Sequence, residues 1–282
     1  MLAAKPAGPT SHDVVDTVRR ALGLTRVGHL GTLDPFAAGL LVVVVGRATR
    51  LAAYAGAWSK AYVGTIRFGV VTATDDPTGE VVRTSEAWRG LDAAAVRAAL
   101  DRFRAGGGYA QRPPAYSAVK IAGERAYRRA RRGEDPAPAP RAVAVHELEL
   151  EALALPDARF RAVVGAGTYL RSLARDVGEA LGCGAHLAEL RRTRVGAFRL
   201  EDAVAPERVT PGDVRDGAAL VADLPRRELS AEERAAVVHG RSIPGCPPDS
   251  RHPVALFAGG ALVAVAEPVG ELLKPRVVVA EP

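Results

Sequence analysis

The stretch from Val27 to Leu41 constrains this chain more than any other. It carries His29, Asp34 and the glycines Gly28, Gly31 and Gly39, and it runs straight into the apolar segment Leu40 to Val45, which ends at Gly46. A continuous apolar run bounded by glycine reads as a strand buried on both faces. The residue before a proline is pushed out of the helical region, so Asp34, which precedes Pro35, belongs in an extended or turn conformation. The glycines allow backbone angles and close approaches that a Cβ would forbid. Asp34-Pro35 also reads as a helix N-cap followed by proline at the first helical position, and the local sequence leaves both readings open. In the first of them, a rigid loop holds one carboxylate at the mouth of a sheet, a seat for chemistry.

At 282 residues, 48% of them hydrophobic, the chain can bury a sizeable core in one large or two modest domains. No apolar run reaches the roughly 18 residues that a membrane span needs, and the opening Met1 to Pro6 is too short to be a signal peptide. Two distant cysteines, Cys183 and Cys246, describe neither a zinc site nor a disulfide framework, so a reduced, cytoplasmic protein is expected. The net charge of +6 is unevenly spread. Between Gln111 and Arg141 stand eight basic residues (Arg112, Lys120, Arg125, Arg128, Arg129, Arg131, Arg132, Arg141) against three acids. Such a block points to a polyanion partner, although a solvated arginine-rich helix face would look the same. Only four of the 38 basic residues are lysine (Lys5, Lys60, Lys120, Lys274), which suggests that lysine is kept where a compact ammonium is wanted.

Along the chain, Thr10 and Asp13 form a capping-box pattern for a helix carrying Val14, Val15, Val18 and Leu22, with Gly23 as its stop. Ala61 to Phe68 alternates, placing Tyr62, Gly64, Ile66 and Phe68 on one face and Val63, Thr65 and Arg67 on the other. Thr72 to Gly79 is a loop, and Leu91 to Phe103 is helical. The basic block is hinged by Gly106 to Gly108 and closed by the proline alternation 136–140, which favours an extended arm. Val143 to Leu150 and Arg159 to Gly165 are strand-like, and a helix follows with Leu170, Leu173, Val177 and Leu181 on one face. Arg171 lies in its first turn, off that stripe, where the helix dipole gives no reason for a cation; a specific anionic partner is expected. Past Leu224, a hairpin (Val254 to Ala258, then Ala261 to Ala266) and a last strand, Val277 to Ala280, form an all-β appendage. His12, His146, His239 and His252 have no metal-like spacing.

The segment Gly28 to Leu41 fills every fixed position of the motif G-H-x-G-T/A-L-D-P-x-A-x-G-x-L. It thus resembles the catalytic loop of the TruB family, the bacterial tRNA pseudouridine-55 synthases. Further segments are similar to the same family: the opening Lys5 to Ser11; Lys60-Ala61-Tyr62; Pro113 to Lys120; Gly167 to Arg171; and Gly182 to Leu187 with the following Leu190 to Arg194. The loop Thr72 to Asp76 departs from the family's T-D-T-x-D, with Ala73 where the first aspartate would stand and Asp76 matching the second. The resemblance implies an α+β fold: a mixed, largely antiparallel sheet flanked by helices over residues 1–224, with a basic thumb-like insertion at about 111–141. Residues 225–282 would form a small β-barrel of the PUA type. It also implies roles. Asp34 would be the catalytic carboxylate, Arg171 its partner, and Tyr62 the ring that stacks on the base. Lys5 would brace the loop or contact substrate, and His29 would help hold the flipped form of the RNA. Asp76, Lys120, Arg128, Arg129, Arg131, Arg132, His186, Arg191 and Arg192 would support the RNA site, the arginines after Leu190 facing RNA.

The implied reaction breaks the bond from C1′ to N1 of a uridine, rotates the base and joins C1′ to C5. The base leaves and returns, so no metal or redox cofactor is expected, and one carboxylate suffices where glycoside hydrolysis uses two. Asp34 could attack C1′ or remove the C2′ proton to give a glycal; both routes stay open. The expected substrate is the T arm of tRNA, its uridine taken out of the loop, and a monomer without an obligate protein partner is expected. Three rivals are weighed: the catalytic subunit of an RNA-guided synthase, a tRNA-folding helper without chemistry, and a glycoside hydrolase. The basic insertion speaks against the first, and the trio Asp34, Tyr62 and Arg171 against the second. The lack of a second catalytic carboxylate speaks against the third.

Overall fold

The computed structural model describes residues 1–117, 119–121, 123–134, 138–245 and 252–281. A nine-stranded sheet forms the body of the molecule. Its strands run in the order Leu2–Lys5, Ala38–Val45, Ala185–Val195, Lys60–Phe68, Asp157–Val164, Arg141–Ala154 and Gly108–Gln111. Val27–Leu30 pairs beside Ala38–Val45, and Phe198–Arg199 beside Ala185–Val195. Neighbours are antiparallel except where Ala185–Val195 meets Ala38–Val45 in parallel, Arg192 standing opposite Gly39. That approach requires the glycine: a Cβ on Gly39 would lie 2.3 Å from the Arg192 carbonyl oxygen, and its φ is +114°. The sheet is thus mixed and largely antiparallel, as expected.

The strand Ala38–Val45 is buried on both faces because two different cores use it. Leu40, Val42 and Val44 pack with Leu2, Leu30 and Leu51 against Ala255, Phe257, Leu262 and Val265 of a second sheet. Leu41 and Val43 pack against Val14 and Val18 of the helix Ser11–Leu22. Side chains alternate along a strand, so a continuous apolar run is what such a two-sided position demands. That helix is capped as its sequence indicates, with a reciprocal Thr10–Asp13 box and Gly23 in the left-handed conformation at its end.

The third core lies under the helices Ala93–Arg104 and Leu170–Ala180. Tyr62, Ile66 and Phe68 meet Val96, Leu100, Leu173 and Val177 there. Burial of each such aliphatic side chain contributes roughly 1.5–3 kcal/mol, and this layer holds the helix carrying Arg171 rigidly against the sheet.

The C-terminal sheet has five strands in the order Arg226–Glu228, Val254–Ala258, Ala261–Val269, Leu272–Val278 and Ile243–Pro244, curled into half a barrel. Its last long strand begins five residues earlier than the apolar run Val277 to Ala280 indicates, because Lys274, Pro275 and Arg276 break the alternation. A register shift beside Ala266, the partner of Pro275, accommodates the proline, which has no N–H for the ladder. Among the described residues no helix is long and apolar enough to cross a membrane.

Candidate active site

Residues Gly31 to Ala37 form a loop and turn, not a helix, so the extended reading of Asp34 holds. Three buried side chains from separate elements fasten it. Lys5 Nζ donates to the carbonyls of Pro35 (3.2 Å) and Ala37 (2.6 Å). Ser11 Oγ accepts from the Leu33 amide at 2.8 Å and donates to its carbonyl at 3.0 Å. Arg192 donates to the carbonyls of Gly31 (2.9 Å), Thr32 (3.4 Å) and Leu40 (2.8 Å). With these backbone acceptors satisfied from below, the carboxylate of Asp34 is left facing a cleft of about 640 Å3 lined also by His29, Lys60, Tyr62, Tyr116, Tyr169 and Arg171.

Arg171 grips Asp34 with a two-pronged pair, Nε to Oδ2 at 2.9 Å and Nη2 to Oδ1 at 3.1 Å. Its other donors go to the carbonyls of Thr74 (2.9 Å) and Tyr116 (3.0 Å), and Asp76 Oδ2 lies 3.6 Å from Nη1. The guanidinium is 5% exposed and the Asp34 side chain 33%. Side chains near the start of a helix lean back toward its N-terminus, which lets Arg171, second residue of the helix Leu170–Ala180, reach the loop. A planar fork held by four hydrogen bonds and a nearby carboxylate cannot rotate freely, so the carboxylate it grips is fixed in direction. His29 stands on the cleft wall; burial, then the Arg192 and His12 charges, lower its pKa, so it carries a neutral ring at pH 7. Burial likewise lowers Lys5 to about 8, with Asp34 opposing that shift.

Several expected RNA contacts turn out to be internal. Arg192 is fully buried and Lys5 nearly so, both spent on the Asp34 loop. His186 is buried, its Nδ1 2.8 Å from the Val70 carbonyl. Asp76 is buried as well, accepting from the Thr78 amide (3.0 Å) and the Thr74 hydroxyl (2.6 Å). The loop Thr72 to Gly79 therefore closes despite Ala73, and its Thr74 carbonyl and Asp76 carboxylate support Arg171. Of the three arginines after Leu190, Arg191 is exposed and lines a separate groove of about 760 Å3 with Val63, Thr65 and Glu189. Arg194 is half-buried and donates to the Gly196 carbonyl.

In the basic insertion, Arg128 is exposed, whereas Arg129 and Arg132 are tied to Glu134, and Arg132 also to Glu124 at 2.6 and 2.8 Å. The side chains of Lys120 and Arg131, part of the proline arm 136–140, and Cys246 lie outside the described residues. Among the described residues no three histidine, cysteine or acidic side chains gather as they would around a metal ion.

A second arginine, missed from sequence, extends the network. Arg175, one turn after Arg171, donates to Asp75 Oδ2 at 2.9 Å and to Asp176 Oδ1 at 2.8 Å. Tyr109 donates to Asp176 Oδ2 at 2.8 Å and accepts from Gln111 at 2.7 Å. Two arginines four apart on one helix and the doublet Asp75-Asp76 were the available signal. Asp75 sits at φ +59°, an uncommon conformation that aspartate and asparagine tolerate best. Burial pushes its carboxyl up to about 6, against the pull of Arg175 and Arg171. That value lies above the ordinary 3.8, so on acidification the folded protein takes up this proton before the unfolded chain does. The resulting stabilisation is complete below about pH 4 and is lost as pH rises through about 6. Measured by urea unfolding against Asp75→Asn, the wild type should lose about 2.5 kcal/mol between pH 4 and pH 7. A pH-independent difference would contradict this.

Comparison with known proteins agrees with this geometry. The model of the TruB family pseudouridylate synthase N-terminal domain matches residues 19–170, and that of the tRNA pseudouridylate synthase B C-terminal domain matches residues 171–223. The tRNA pseudouridine synthase B of Thermobifida fusca is 46% identical across 99% of this chain and 98% of its own. That of Synechococcus sp. is 44% identical across 97% and 95%. A solved H/ACA RNP bound to a substrate RNA containing 2'-deoxyuridine superposes with a TM-score of 0.74 at 25% identity, covering 99% of this chain and 85% of the other. The first family match contains the Asp34 loop and the second opens on Arg171; the chain belongs to the TruB family of pseudouridylate synthases.

Proposed function

We propose that this chain isomerises uridine to pseudouridine at position 55, in the T loop of tRNA, with Asp34 as the catalytic carboxylate acting on a base turned out of the loop. The observation that carries the reading is the fixed Asp34–Arg171 pair opening into a cleft beside Tyr62. In the reaction the C1′–N1 bond breaks, the uracil turns, C1′ joins C5, and the hydrogen on C5 leaves as a proton while N1 gains one. Positive charge develops at C1′, where a carboxylate held in one direction is effective. Tyr62 offers a ring to stack on the uracil, its hydroxyl available for the late proton transfer at C5. His29, neutral at pH 7, serves as a wall and hydrogen-bond partner for the flipped nucleotide rather than as a base. No cofactor enters any step.

We take residues 1–224 as the catalytic domain and 225–282 as a PUA-like RNA-binding domain. The enzyme works as a monomer in the cytoplasm, with neither guide RNA nor protein partner. Its own insertion, through Arg112 and Arg128 on exposed surface, supplies phosphate contacts that a guided enzyme would draw from elsewhere.

The test is tritium release from a T-arm minihelix labelled at C5 of its uridine, in the absence of any other RNA or protein. Stoichiometric release is expected, because isomerisation must expel that hydrogen. Tight binding without release would replace the reading with a folding helper or a guide-dependent subunit.

A further inference from the structure

One cation in the cleft, Lys60, has no counter-charge among the described residues. Lys60 begins the strand Lys60–Phe68, on the same face as Tyr62 and about 6.6 Å further back along the strand. Its ammonium has three donors, and the protein accepts one of them, at the Trp58 carbonyl, 2.7 Å away. Among the described residues no carboxylate lies within 4 Å of it, nor of its neighbour Arg192, whose buried guanidinium meets only carbonyls. Asp34, the carboxylate on the cleft, is turned toward Arg171. Burial and the Arg192 charge together lower the pKa of Lys60, the mark of a cation placed where nothing in the protein balances it.

Gly31 makes the juxtaposition possible. A Cβ at this position would lie 3.2 Å from Lys60 Cε and 3.5 Å from Arg192 Nη1, and the backbone there has φ +72°. The loop thus brings two like charges together where a side chain would keep them apart, in a chain that uses lysine at only four of 38 basic positions. A compact, rotatable ammonium suits a tetrahedral anion arriving from solvent, whereas the guanidinium behind it is committed to the loop.

We propose that Lys60, backed by Arg192, is the binding position for a phosphodiester adjoining the flipped uridine. This rests on the uridine isomerase reading above. With the uracil on Tyr62, the phosphate of the same nucleotide falls one side-chain pair along the strand, at Lys60. Its negative charge is then balanced by the two cations and kept from the Asp34 carboxylate. Lys60 would hold the nucleotide at its backbone while the base detaches and turns, the one stage at which the glycosidic bond no longer tethers it.

The experiment is a coupling cycle in binding. Wild type and Lys60→Met are titrated with the T-arm minihelix and with versions carrying an uncharged methylphosphonate 5′ or 3′ of the target uridine. Wild type should lose about tenfold in affinity at one of the two linkages, the scale of one hydrogen bond to a charged group. Lys60→Met should show that loss already on native RNA and no further loss at the same linkage. Additive losses at both linkages would overturn the proposal, and a general weakening of the variant cancels because each protein is its own reference. Tritium release by wild type on native RNA is read in parallel. Its absence would remove the isomerase reading, while additive binding losses with normal release would remove only the phosphate site.

Discussion

Asp34→Asn is expected to bind the T-arm minihelix with wild-type affinity and to release tritium at least roughly 10^4-fold more slowly, the scale on which enzymes lose activity with a reacting side chain. Asparagine keeps the shape of the side chain but presents one acceptor to the Arg171 fork where the carboxylate presents two. It can neither bond to C1′ nor take the C2′ proton, so both routes stop. The loop should survive the change, since Lys5, Ser11 and Arg192 fasten its backbone and not its carboxylate. Release is followed at single turnover with enzyme in excess, and affinity by filter retention. Equal rates for the two proteins would exclude Asp34 from the mechanism.

Arg171 should carry a different penalty, in folding as well as in activity. Its guanidinium joins four segments that are distant in sequence: the Asp34 loop, Thr74 and Asp76, Tyr116, and its own helix. Arg171→Met leaves the carboxylate of Asp76 buried beside an apolar chain and two carbonyls without donors. Removing one partner of such a buried pair costs about 3–5 kcal/mol, which in a protein of this size lowers Tm by roughly 10 °C. Arg171→Lys restores the charge without the fork. It should recover a good part of the stability in urea titrations but little of the tritium release, because a single ammonium cannot fix both carboxylate oxygens. A lysine variant with wild-type turnover would show that charge alone is needed and that the orientation of Asp34 is not.

Most of what could be read in advance was local. The capping box at Thr10 and Asp13, the alternation from Ala61 to Phe68 and the run Leu40 to Val45 are decided within a few residues, by backbone preferences and by the period of the burial pattern. The expectation that Arg171 needs an anionic partner was also local, since the N-terminal turn of a helix repels a cation. The two neighbouring arginines show what a local reading misses. Arg191 and Arg192 look alike in sequence, yet Arg192 stands opposite Tyr62 and Arg191 opposite Val63. Cross-strand partners share a face, so the pairing register sends one arginine under the Asp34 loop and leaves its neighbour on the solvent face. Register shifts at Leu187/Glu189 and Arg192/Arg194 make that outcome invisible to a simple count of alternation. His186 stands opposite the exposed Arg67, and it is buried because the segment Val70–Thr72 covers it, its Nδ1 2.8 Å from the Val70 carbonyl.

By itself, then, the sequence determined the elements, the loop that holds Asp34 and the family to which the loop belongs, because a motif and a burial period are written in adjacent residues. Only the tertiary structure decided which charges work inside the protein and which are left on its surface or in the cleft. Arg192, Lys5, Asp75 and Arg175 became internal braces, and Lys60 kept a free charge in the cleft, through contacts between segments far apart in the chain. A buried cation needs a specific acceptor within about 3 Å, and whether one is present depends on how the sheet is paired and where its helices rest, which no window of sequence contains.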